Sequence, residues 1–123
     1  MSYTALVLDE DSRDKLISRF KDDIPEGWEI IAHHMTINMG DAEGGPAENM
    51  VGDEAPLTVK TFAEDDLVMA VGVVSPVPSK NDIKHITLAV NRKEGGKPFF
   101  SNKLKDWNSV APLVLKGLVK VVN

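Results

Sequence analysis

Two short segments of this chain carry the same pattern, His34-Met35-Thr36-Ile37 and His85-Ile86-Thr87-Leu88. Both read His, apolar, Thr, apolar, and together they use two of the three histidines in the sequence. In an extended strand, successive side chains alternate between faces. Each pattern therefore puts an imidazole and a hydroxyl on one face, with Cα atoms roughly 6.5–7 Å apart, and two apolar side chains on the other. If both strands face one cleft, two imidazoles and two hydroxyls surround one point. That set suits a phosphate ester. A neutral His takes a proton from an attacking water or hydroxyl, and a protonated one gives a proton to the leaving oxygen. The Thr hydroxyls hold the nonbridging oxygens as charge builds on them. Histidine serves both roles because its unperturbed pKa lies near neutrality. No metal or cofactor is required by this chemistry. The plainer reading of the same spacing is a pair of partly buried strand histidines with backbone partners.

The elements that must position these residues follow from the local pattern. Ser2 to Leu8 is rich in strand formers. Asp9, Asp11 or Ser12 then caps a helix with an apolar stripe of Leu16, Ile17 and Phe20, which Pro25-Glu26-Gly27 ends. Trp28 to Met39 reads as a strand carrying the first motif. Gly40 to Pro56 reads as a long loop, a candidate lid or partner contact. Leu57 to Phe62 and Leu67 to Val74 read as strands joined by a turn at Glu64-Asp65-Asp66. Ser75 to Asp82 is a connection, and Lys84 to Asn91 is the strand of the second motif. Ser101 is placed to cap a short helix through Trp107, Pro112 marks a break, and Leu115 to Val122 is a closing strand. About six strands with one clear helix and one short helix predict an α+β fold with antiparallel or mixed sheets. At 123 residues the chain is expected to be a single domain, residues 1–123.

Composition narrows the class. There is no cysteine, which excludes disulfides, thiolate zinc sites, iron–sulfur clusters and cysteine nucleophiles. No apolar run approaches the roughly 20 residues of a membrane span, and the start is acidic rather than basic, unlike a secretory signal. A cytoplasmic protein without membrane partners is expected. The net charge of −5 argues against a protein that coats duplex nucleic acid. The charge is uneven, however. Residues 1–66 hold 16 acids and 5 bases, and residues 67–123 hold 3 acids and 9 bases. The basic second half suits a small phosphate ligand or a strand end, although a solvated surface explains the asymmetry equally well.

Further residues are candidates by position. Asn38 continues the face of His34 and Thr36, and Asn91 that of His85 and Thr87. Either lines a cleft or initiates a turn at a strand end. Lys97, between Gly96 and Pro98, is the first candidate for a second phosphate contact, with Arg92 and Lys93 in the same loop. Tyr3 is the aromatic to consider for the cleft. Phe99, Phe100 and Trp107 are candidate base-stacking platforms too, although aromatics beside a helix are more often core. His33 falls on the opposite face from His34, with Ile31 and Met35. It reads as a packing residue and not as part of a metal site, which needs converging ligands.

The doubled motif resembles the 2H phosphoesterase superfamily. Its wider context, YTALVLD, GWEIIAHHMTINMG, HITLAV and GGKPFFSNKLKDW, is similar to the compact Swiss Army Knife branch linked to RNA repair. The resemblance implies a bilobal α+β fold in which two H-x-T strands face each other across a central cleft. It also implies metal-independent chemistry on RNA ends or small nucleotides, as 2′,3′-cyclic phosphates or 2′–5′ linkages. His34 and His85 become the acid–base pair, and Thr36 and Thr87 the phosphate holders. The chain lacks the second long helix of a typical two-lobed member. A protein of another class, a non-catalytic nucleotide binder acting as sensor or sponge, could use the same cleft.

Overall fold

In a computed structural model that describes residues 1–123, Tyr3–Leu8 forms strand β1. Asp9 then caps helix α1, Glu10–Phe20, by accepting a 2.8 Å hydrogen bond from the Ser12 amide. This satisfies a donor that the helix itself leaves open. The same bond is the main cause that holds the Asp9 carboxyl below the usual carboxylate range. Leu16 and Phe20 turn inward, and the Phe20 ring stacks on Phe62 at 5.4 Å.

The other strands are β2 (Glu29–Ile30), β3 (His34–Met39), β4 (Glu54–Glu64), β5 (Val68–Val74), β6 (His85–Val90) and β7 (Asn108–Val122). All their pairings are antiparallel, in the order β2-β6-β3-β1-β7-β4-β5. A further pairing of β5 with β6 closes six of them into a barrel, with β2 as an additional strand on β6. The fold is thus α+β, with one α-helix and one continuous sheet. Closure removes the open edges that an unclosed sheet leaves available for aggregation.

The barrel interior is filled by Leu6, Met35, Ile37, Leu57, Val59, Val71, Ile86, Leu88, Leu115 and Val119. Met35 and Ile37, like Ile86 and Leu88, are fully buried there. The alternation expected of the two motifs therefore holds: their apolar residues point into the barrel, and their His and Thr residues point out. A smaller apolar cluster of Ala63, Val68, Ala70, Val90 and Leu104 lies apart from this core, with Phe100 and Trp107 packed against it.

Several boundaries differ from the sequence reading, each for a local reason. The Trp28–Met39 segment runs along β6 but is interrupted, with Ala32 at φ 43°. Pro56 lies inside β4, paired with Lys116, because the β5 pairing reaches only to Thr58 and asks no amide donor of Pro56, whose carbonyl accepts from Ser75 Oγ. Pro112 does not break β7. It falls where four steps along β7, from Ser109 to Leu113, match two along β4, and this bulge needs no amide donor from it. The short helix expected from Ser101 to Trp107 is instead a 3₁₀ turn over Pro98–Lys103, started by Pro98. The long loop after Gly40 is docked onto the barrel. Ala47 is buried in the barrel core, Met50 packs against it, and Gly52 and Asp53 bond to Val119 in β7. No helix of the protein is long and apolar enough to cross a membrane.

Candidate functional site

The outward faces of β1, β3 and β6 form the floor of a cavity of about 750 Å³. His34, Thr36, His85 and Thr87 all line it, with Tyr3 and Asn38 beside them. Met35 of β3 pairs with Ile86 of β6, so the two motifs lie on adjacent strands at matching height. The walls come from two connections. Lys80 and Asn81 belong to the segment before β6, and Pro98, Phe99 and Asn102 to the 3₁₀ turn. Ser79 Oγ donates to Thr36 O at 2.7 Å and Lys80 N to Ile37 O at 2.8 Å, which docks the first wall onto β3.

A bulge shapes the first motif. Ala32 N donates to Thr87 O, and the next pair is Met35 with Ile86. Three steps along one chain match one along the other, so His33 and His34 are the unmatched residues. With the chain bent at Ala32, alternation no longer separates their side chains. His33 is therefore not on the opposite face as expected, because its Nδ1 lies 2.9 Å from His34 Nδ1. One ring donates and the other accepts, and His34 Nε2 is left free for a ligand. Tyr3 lies against the same imidazole at 4.8 Å, and burial raises its phenol pKa. No group of three or more His, Cys, Asp or Glu side chains is placed to hold a metal ion.

His85 is buried, with its Nδ1 2.7 Å from the Ile83 carbonyl. A carbonyl only accepts, so Nδ1 carries the proton and the neutral ring keeps its lone pair on Nε2. Burial lowers the His85 pKa, against the opposing effect of that hydrogen bond. His34 is lowered to about 4, first by burial and then by the proximity of His33 and His85. His33 is lowered too, by burial and by the charges of Arg13 and Lys120. Both motif histidines are thus mainly neutral at pH 7.

The two threonines are not equivalent. Thr87 Oγ1 donates to Pro98 O at 3.2 Å and lies 2.8 Å from Ser101 Oγ, so it ties the 3₁₀ turn to β6. Thr36 keeps its hydroxyl free of protein partners while its carbonyl accepts from Ser79. Thr87→Val is therefore expected to destabilise the protein by about 1–3 kcal/mol, because the buried Ser101 hydroxyl loses its partner. Thr36→Val is expected to leave the urea midpoint nearly unchanged and to weaken anion binding. Equal stability losses for the two variants would refute this division of roles.

Asn38 lines the cavity, but its Nδ2 is spent on Met39 O and Asp41 O at the strand end, and its Oδ1 is buried without a partner. Asn91 and Lys97 are not at the cavity. Asn91 sits at the far end of β6 in a separate depression with Trp28 and Asp65, where its Nδ2 donates to Asp66 O. Lys97 is exposed and precedes the 3₁₀ turn, where its carbonyl accepts from Phe100 N. The basic residue at the cavity is Lys80 instead. Phe99, weighed as a stacking platform against a core residue, is 57% exposed at the rim. Lys80 and Asn81 gave only a loop signal, since nothing local says which strand a connection folds onto. Phe99 was findable as the outer member of an adjacent aromatic pair with Phe100.

No carboxylate lines this cavity, although the chain carries 19 acidic residues. Its polar groups are imidazole nitrogens, hydroxyls, amides and one ammonium, a set that binds an anion and can move a proton. No family model matches the chain, and neither a curated protein nor a solved structure matches it.

Proposed function

We propose that the protein is a metal-independent phosphodiesterase of the 2H type, acting on RNA ends or small nucleotides that carry a 2′,3′-cyclic phosphate or a 2′–5′ linkage. The observation that carries this reading is the convergence of both H-x-T motifs on one cavity without a carboxylate. The two motif strands, β3 and β6, are neighbours in one closed sheet, so this reading needs no separate lobes.

In this reading His85 is the base. Its tautomer leaves Nε2 able to take a proton from the nucleophile, water at a cyclic phosphate or the neighbouring ribose hydroxyl at a 2′–5′ linkage, whose oxygen attacks phosphorus. The bond from phosphorus to one ribose oxygen breaks, and His34 Nε2–H gives that oxygen its proton. Thr36 and Lys80 stabilise the charge on the nonbridging oxygens. His34 must be protonated for its part. The protonated ring donates Nδ1–H to His33 Nδ1, so His33 positions it and accepts that bond. Phe99 offers an exposed ring for a base to stack on.

The low His34 pKa gives a test. A bound phosphodiester anion replaces lost solvation and favours the imidazolium. Binding then takes up a proton at any pH between the free value, about 4, and the higher value in the complex. Affinity is expected to be greatest at low pH, to fall as the pH rises above that free value, and to level off above the pKa of the complex. Calorimetry with a 2′–5′-linked dinucleoside monophosphate methylated at the neighbouring 3′-hydroxyl, which cannot attack and keeps constant charge, reads this directly. Affinity that rises with pH would refute it.

One observation favours a nucleotide binder instead: the Thr87 hydroxyl is already committed to the 3₁₀ turn. Tight binding of an unmodified cyclic phosphate that stays intact over hours would select that reading.

A further inference from the structure

The turn Pro98–Lys103 is a 3₁₀ helix, in which residues three apart stand one above the other, so its side chains fall into three rows. Two of the rows are spent on the fold. Pro98 O and the buried Ser101 hydroxyl both meet Thr87 Oγ1, at 3.2 and 2.8 Å, which fixes the turn to β6. Phe100 packs against the smaller apolar cluster, and Lys103 Nζ lies 5.5 Å from the centre of its ring. The third row is Phe99 and Asn102, and both line the main cavity.

Phe99 and Asn102 are both exposed, and the Asn102 amide makes no hydrogen bond to the protein. Their Cα atoms are roughly 6 Å apart along the turn axis. A base stacked on the Phe99 ring therefore has its edge within reach of the amide. A side-chain amide offers a donor beside an acceptor. The outer edge of adenine, amino N6 beside N7, is its complement. Guanine shows two acceptors there, O6 and N7, which call for Arg or Lys, and the amino group of cytosine calls for a carboxylate. No carboxylate lines this cavity, since Asp82 lies on a smaller one beside it, of about 290 Å³. The one ammonium, Lys80, comes from the other connection, which is docked on β3.

We propose that Asn102 determines base specificity and selects adenine for the base stacked on Phe99, its Oδ1 accepting from the N6 amino group and its Nδ2–H donating to N7. This deepens the phosphodiesterase reading and rests on it. The preferred substrate is then an adenine nucleotide, and the selection does not depend on how its phosphate is linked. Thr87 holds the reading row in place, because it binds the turn through Pro98 and Ser101.

The test compares, by calorimetry, uncleavable ligands of equal charge that differ only in the base. Each is a 2′–5′-linked dinucleoside monophosphate methylated at the neighbouring 3′-hydroxyl, with the same base on both sides, so that whichever nucleoside meets the turn carries it. The bases are adenine, 7-deazaadenine (which has C–H in place of N7) and guanine, all purines with similar stacking area. The parent is expected to bind the adenine ligand several-fold more tightly than the 7-deazaadenine ligand, the effect of one hydrogen bond, and at least roughly tenfold more tightly than the guanine ligand. Asn102→Ala, at an exposed position, should remove both advantages and leave the guanine ligand unchanged. Phe99→Ala should weaken all of them, because stacking does not discriminate among bases. Equal binding of the adenine and 7-deazaadenine ligands, tighter binding of guanine, equal weakening of adenine and guanine by Asn102→Ala, or a Phe99→Ala variant that spares every ligand overturns the selection and leaves the phosphodiester reading standing. If the parent binds none of the ligands, the phosphodiester reading fails and the selection with it.

Discussion

Alanine at His85 is expected to lower turnover of a phosphodiester substrate by roughly 10²–10⁴-fold, the usual contribution of a positioned acid or base. The loss should fall mainly on kcat, because the proton moves only in the transition state. His85 is buried and bonded through Nδ1 to the Ile83 carbonyl, so the variant also loses one hydrogen bond. That costs stability on the order of 1 kcal/mol, too little to unfold a typical domain. A thermal melt beside the rate measurement separates the two effects. A variant that melts like the parent and keeps its rate would remove His85 from the chemistry.

The neighbouring residue should behave in the opposite way. Ile86 is fully buried inside the barrel, opposite Met35 of β3. Ile86→Ala leaves a cavity among well-packed side chains and is expected to cost about 2–5 kcal/mol, a fall in melting temperature of roughly 10 °C or more. Turnover per folded molecule should fall far less than in His85→Ala. One step along one strand thus exchanges a functional effect for a stability effect. If Ile86→Ala barely moved the urea midpoint, the placement of the two faces of β6 would be wrong.

That alternation was the most legible feature of the sequence. Met35, Ile37, Ile86 and Leu88 read as inward and are buried, while His34, Thr36, His85 and Thr87 read as outward and share a cavity. Period-two patterning is local, so the residues of one short motif are enough to show it. Barrel closure was not legible. The pairing of β5 with β6 joins segments whose patterns specify burial but not a partner. His33 was misplaced because one residue at positive φ, Ala32, resets the alternation, and alanine gives no warning of it. Asn91 shares the face of His85 and Thr87 by parity, but it lies four residues beyond Thr87, just past the end of β6, where it bonds to Asp66. Lys97 was chosen from its glycine and proline neighbours, whereas Lys80 occupies the site because Ser79 and Lys80 bond to β3. Such long-range docking depends on the assembled barrel and leaves no local trace.

The most direct test of the account is turnover in the presence of EDTA. The parent protein, His34→Ala and His85→Ala would each meet a panel of 2′,3′-cyclic nucleotides, 2′–5′ and 3′–5′ linked oligonucleotides and cyclic dinucleotides. The account predicts product from the parent on at least one member of the panel, undiminished by the chelator, and a loss of at least roughly 10²-fold in each variant. Product formed equally by the parent and both variants, or no product from the parent on any member, would contradict it.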